Sequence, residues 1–171
     1  GNALSAFRAQ GLLPRLQAVA PRIAAVHARY VHWVWSERAL DRGALDKLDA
    51  LLRYGEPYAG PADGALVVVA PRLGTVSPWA SKATDIAHNC GLAVRRVERV
   101  PEYRLVVERG LPGAKALTPA EIDACAALLH ARMTESVLPA RDDARRLFDE
   151  RPGQPMEHVD VLGAGRAALA Q

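Results

Sequence analysis

Hydrophobic residues recur along this chain with two different periods, and the changes of period mark out a succession of helices and strands. From Ser5 to about Val19 the spacing predicts an amphipathic helix with Phe7, Leu12, Leu16 and Val19 inward, weakened or bent by Gly11 and Pro14. Val26 to Trp35 carries β-branched and aromatic residues on both faces: Val26, Tyr30 and Val34 on one, Val31, Trp33 and Trp35 on the other. That pattern reads as a strand covered on both sides and central in a sheet. Asp41 or Gly43 opens a helix that turns Leu45, Leu48, Leu51 and Leu52 inward and stops at Gly55. Pro57 to Gly64 is a turn-rich connection to Leu66-Val67-Val68-Val69-Ala70, a fully buried strand.

The loop Pro71 to Val76 leads into a helix with unusually complete punctuation. Ser77 is its N-cap, Pro78 stands at the first helical position, and Gly91 takes the left-handed position after its end. Trp79, Ala83, Ile86 and Cys90 form its apolar stripe, while Ser81, Thr84, Asp85 and His88 fall on a separate face. The segment holds more polar detail than a packing helix needs. A stripe of that kind suits a partner domain or a ligand, and it equally suits a hydrated surface.

Downstream, Val94 to Arg99 alternates only partly, and Val100-Pro101-Glu102 turns the chain into Tyr103 to Glu108, giving two short strands or one broken strand. Thr118-Pro119-Ala120-Glu121 is a capping box with proline at the first helical position, followed by Ile122, Cys125, Ala126, Leu129 and Met133 as one apolar face. Charges dominate beyond Pro139, and Arg151 to Pro155 breaks regular structure, so residues 1–138 read as a domain and 139–171 as the start of a linker region. Strands and helices intermix without the even spacing of βαβ repeats. The expected class is therefore α+β, a mainly antiparallel sheet with helices packed on a face.

Composition narrows the function. Half of the 171 residues are hydrophobic, which is enough for one domain with a real core. No run of about eighteen apolar residues occurs, and Gly1-Asn2-Ala3-Leu4 has no signal-peptide character, so a soluble, cytoplasmic protein is expected. The net charge of +3 is spread as single arginines, among them Arg8, Arg15, Arg22, Arg29 and Arg38, and the aromatics do not alternate with them. Neither nucleic acid nor a membrane is an expected partner. Cys90 and Cys125 both sit on apolar helix stripes as small hydrophobes with reduced thiols.

The run Arg72-Leu73-Gly74-Thr75-Val76-Ser77-Pro78-Trp79-Ala80-Ser81-Lys82-Ala83-Thr84-Asp85-Ile86-Ala87-His88-Asn89-Cys90-Gly91-Leu92 closely resembles the signature near the N-terminus of the large, single-chain phosphoribosylformylglycinamidine synthases. Other pieces agree in order: Leu4 to Arg8, Tyr30-Val31-His32, Leu51 to Gly55, Met133-Thr134-Glu135, Val159 to Gly163, and Gly165-Arg166. Leu73 stands where the family usually has proline, and Ala80 where it usually has serine. The resemblance implies the N-terminal domain of an ATP-driven, glutamine-dependent ligase that converts formylglycinamide ribonucleotide to its amidine. ATP, magnesium and the glutaminase nucleophile would belong to parts of that enzyme downstream. It also implies a fold resembling a dimer of the family's separate small subunit. A strand expected just before Leu4 is missing, which would leave a sheet edge open for self-association.

On this reading the domain makes no bonds. It bridges the glutaminase and synthetase domains and helps form the ammonia route, with Arg72, Ser77, Trp79, Ser81, Lys82, Thr84, Asp85, His88 and Asn89 as candidate contact residues. The alternative is a free-standing interaction module comparable to the separate small subunit. Independent chemistry has little support. His88 lies two residues from Cys90 on a helix, so the two side chains diverge. His27 and His32 fall on opposite faces of a strand, so they do not converge on a metal. Gly163-Ala164-Gly165 lacks the third glycine and the strand of a dinucleotide fingerprint.

Overall fold

The strand β3, Arg96–Val107, carries the rest of the domain. It lies between β1 (Ile23–Trp35) and β2 (Ala65–Pro71), and β2 pairs in turn with the short β4 (Glu135–Leu138). The order is β1-β3-β2-β4, with every pair antiparallel. Helices α1 (Ala6–Val19), α2 (Arg42–Leu52), α3 (Pro78–Asn89) and α4 (Pro119–Leu129) pack around the sheet, together with a 3-10 helix at Arg141–Phe148. The class is α+β, as the sequence indicates. This computed structural model describes residues 1–108, 116–150, 155–156 and 158–170. The break expected at Arg151 to Pro155 lies, apart from Pro155, outside the described residues.

Two strand expectations need correction. β1 is not central: it ends the four-strand order, and its outer edge meets the start of the chain. Asn2 bridges to Arg29, Ala3 N–H donates to Ala28 O at 2.9 Å, and Tyr30 N–H donates to Gly1 O at 2.9 Å. The edge expected to lie open is therefore paired beside Ala28 and Tyr30. The stretch from Arg96 to Val107 is one continuous strand despite Pro101. Pro101 pairs with Tyr30, whose N–H points away from β3, and the β2 ladder stops one residue earlier at Val68 opposite Glu102. A residue with no N–H fits where neither neighbour asks for one.

Side-chain alternation divides the sheet into two faces. On one, α1 and α4 cover Val26, Ala28, Val67, Val69 and Leu105 with Leu16, Cys125, Ala126 and Leu129. Farther along the same strands α2 and α3 cover Val97, using Leu48 and Ala87. The 3-10 helix covers the opposite face, where Ala144 and Leu147 meet Val68, Ala70, Val100 and Leu138.

Several expected core positions are outside. The inward stripe of α1 is Ala9, Leu12, Leu13, Leu16 and Val19, so Phe7, on the far side, is 84% exposed. Leu45 on α2 is also exposed. The Thr118/Glu121 capping box forms as read, and Cys125, Ala126 and Leu129 are buried. However, α4 ends at Leu129, where extended His130 folds its Nδ1 back to Ala126 O at 2.6 Å, so Met133 falls beyond the helix and is 83% exposed. Glu121 also receives both terminal nitrogens of Arg22, at 2.7 and 2.6 Å, tying the start of α4 to the entry of β1.

Candidate functional site

The helix α3 is held to the sheet at its start, middle and end. Ser77 Oγ accepts from Ala80 N–H at 3.0 Å as an N-cap and donates to Glu98 Oε2 at 3.2 Å. Glu98 is fully buried on β3, and Arg96 clasps its other oxygen while donating to Thr75 O at 2.7 Å. In mid-helix, Thr84 Oγ1 accepts from the backbone N–H of Val97 at 3.0 Å. At the end, Gly91 at φ 76° lets its N–H reach His88 O at 2.8 Å and the Leu92 N–H reach Ala87 O at 3.0 Å. His88 Nε2 adds a hydrogen bond to Val94 O at 2.6 Å.

Of the expected stripe, Trp79 and Ala83 do pack against the core, but Ile86 and Cys90 do not, and Ala80, Thr84 and Ala87 complete the inner face instead. Small side chains let the helix approach β3 closely enough for a side chain to meet a strand amide. Ile86 and Cys90 are exposed as a result, and Thr84 leaves the outward polar face to which its spacing assigned it. Cys125 is buried, and burial, followed by the nearby Glu121, raises its thiol pKa, so it stays protonated.

The sequence candidates thus separate into two groups. Ser77, Thr84 and His88 hold the helix in place. Lys82, Asp85 and Asn89 point to solvent with no side-chain partner among the described residues, and exposed Ser81 donates only to Ser77 O, at 3.4 Å. Arg72 stands apart at the end of β2, its Nη1 3.5 Å from Met133 O.

Trp79 joins a cluster that unites three of the pieces carrying the resemblance. Its ring stacks on His32 of β1 with centroids 5.6 Å apart. The Arg99 guanidinium of β3 lies 4.8 Å from the Trp79 centroid and 4.1 Å from that of Tyr30, so aromatic rings cover it twice. Arg99 Nη1 donates to Tyr54 Oη at 3.3 Å, and Tyr54 lies 2.9 Å from His32 Nε2. Beside this cluster an apolar cleft of about 250 Å³ opens between α2 and α3, lined by Leu48, Leu51, Leu52, Trp79 and Ile86, with Lys82 also part of its lining.

Burial, and then two positive charges, the chain's amino terminus and Arg99, lower the His32 pKa to about 4. His32 is neutral at pH 7, so it has a single N–H to donate to its neighbours and adds no charge beside Arg99. In the unfolded chain the imidazole titrates near 6.5. Its contribution to stability is complete above that pH and declines as pH falls towards about 4, because only the unfolded form gains the proton in that window. Replacing His32 by glutamine is expected to flatten the loss of unfolding free energy between these pH values, measured by urea titration across the range.

The face that carries Glu98 holds a second buried carboxylate. Glu102, 1% exposed, accepts Arg141 Nε at 2.5 Å and Nη2 at 2.8 Å, and Arg29 Nε at 3.0 Å. This network fastens the 3-10 helix to the sheet. Sequence reasoning missed Glu98, Glu102 and Arg99. The one available signal was parity, since Glu98 and Glu102 flank Val100 on one side of the strand.

Chemically, the arrangement offers holding groups. Among the described residues no group of three or more His, Cys, Asp and Glu side chains is placed to hold a metal ion. No helix among them is long and apolar enough to cross a membrane. A sequence model of the family described as formylglycinamide ribonucleotide amidotransferase N-terminal matches residues 29–148, which contain both buried carboxylates, the Arg99 cluster and all of α3. With more than half of its length matched, the chain belongs to that family, the N-terminal domain of a ligase of purine biosynthesis.

Proposed function

We propose that this domain is a non-catalytic bridge in the ligase. It holds the glutaminase against the synthetase and helps enclose the route by which ammonia passes from one to the other. The ATP and magnesium chemistry belongs to the modules that it joins. One observation carries this reading: α3 is fixed from beneath by Glu98, by the Val97 amide and by its C-terminal cap, yet Asp85, Lys82 and Asn89 on its outer side have no side-chain partner among the described residues. A helix held that firmly presents its outer side chains in a fixed array, as a docking surface requires. Enclosure matters because ammonia that is protonated or lost to water cannot attack an activated amide.

The test uses the full-length ligase with Ser81 and Asp85 replaced by alanine. His88 is left intact because it helps fix the helix end. Glutamine-dependent turnover is expected to fall about five- to tenfold, the effect of interface polar groups left without partners, while turnover with added ammonia changes little. Equal losses in both assays would remove the gating role.

A further inference from the structure

Arg99 is a charge without a counter-charge. Among the described residues no carboxylate pairs with it. Its interactions are the Tyr30 and Trp79 rings, at 4.1 and 4.8 Å from their centroids, and the Tyr54 hydroxyl at 3.3 Å. Of the other strand arginines, Arg29 shares Glu102 and Arg96 holds Glu98, while Arg104 donates to the backbone oxygen of Gly64; Arg99 differs from all three in being covered by two aromatic rings. A guanidinium covered by rings keeps its donors at the edge of its plane, and Tyr54 takes one of five. The rings fix that plane and limit its hydration, so little ordering is left to do when an acceptor arrives.

The neighbouring surface defines the acceptor. Tyr54 and Trp79 form both the surroundings of Arg99 and part of the apolar cleft between α2 and α3, and Lys82, also lining the cleft, is likewise unpaired among the described residues. We infer that the Arg99 edge and this cleft together receive a segment of the neighbouring module that presents a carboxylate beside an apolar side chain. The carboxylate matches the guanidinium edge in a bidentate pair, and the apolar group fills a cleft of about 250 Å³. A phosphate fits less well. It carries more charge and calls for more donors, whereas the imidazole beside Arg99 is neutral and the first turn of α3 is already capped by Ser77.

This inference rests on the reading that the domain docks within the ligase, and it can be tested apart from the gating role. Arg99→Lys in the full-length enzyme places an amine where the guanidinium was. A water-soluble carbodiimide then joins that amine to a touching carboxylate without a spacer, and mass spectrometry maps the link. The expected product connects position 99 to one Asp or Glu outside residues 1–171. Lys82 of the unsubstituted enzyme should couple to the same segment, which keeps the test decisive if the Arg99 variant misfolds. Links confined to acids within residues 1–171, or none at either position, would overturn the inference and would fit a small anion bound at Arg99. A link together with an unchanged glutamine-to-ammonia ratio in the Asp85 variant would remove only the gating role. The converse result would remove only this inference.

Discussion

Replacing Glu102 by alanine is expected to destabilise the domain by about 3–5 kcal/mol, the cost of breaking a buried ion pair from one side. For a domain of this size that corresponds to a melting temperature lower by about 10–15 °C. Both oxygens of this carboxylate are engaged, by Arg141 and Arg29, and its side chain is 1% exposed. Removing it leaves two cations facing each other over a buried strand position, each reaching water only along its outer side. Arg141 begins the 3-10 helix that covers Val68, Val100 and Leu138, so the helix should detach from the sheet as well. Hydrogen exchange at Ala144 and Leu147 would report that detachment.

The same site has a pH signature. Burial acts to raise the Glu102 pKa, but Arg141 and then Arg29 outweigh it and hold the carboxyl below its ordinary 4.5. Its contribution is therefore fully present above about 4.5 and is lost as pH falls through the lower folded-state value. Replacement by alanine should remove this acid-side decline. An alanine variant with unchanged stability and an unchanged acid limb would mean that the network contributes nothing.

Replacing Ser77 by aspartate should cost about 3 kcal/mol, the low end for an uncompensated buried charge because Ser77 is only half-buried. At an ordinary N-cap this exchange is close to neutral, since serine and aspartate cap equally well. Here the Ser77 hydroxyl both accepts from Ala80 N–H and donates to Glu98, 3.2 Å away, and a carboxylate has no proton to donate. Two like charges would meet beside a fully buried strand residue. Adding Glu98→Gln should recover most of the loss, because an amide can donate to the new carboxylate while still accepting from Arg96. If chemical denaturation shows Ser77→Asp to be as stable as the parent, Ser77 acts as a cap and nothing more.

What could be read from the chain and what could not divide by range. Ser77, Pro78 and Gly91 mark the ends of α3, and Thr118, Pro119 and Glu121 the start of α4, through hydrogen bonds that span five residues or fewer. Leu66 to Ala70 declares a buried strand by composition alone. Stripe assignments were less secure. On α3, Ile86 and Cys90 belong to the hydrophobic residue types, but small alanines and Thr84 take the inner face because the helix sits close to β3, a distance that periodicity does not contain.

The sequence alone therefore determined the elements, their caps, the α+β class and, through the run from Arg72 to Leu92, the family. Tertiary structure alone decided the order of the strands, the tolerance of Pro101 and the burial of Glu98 and Glu102. It also decided the meeting of Tyr30, His32, Tyr54, Trp79 and Arg99. The physical reason is the reach of the interactions. A cap closes within one helical turn, whereas Glu102 can be buried only because Arg141, 39 residues away, arrives to neutralise it, and Arg99 has no counter-charge among the described residues because no carboxylate of theirs reaches it.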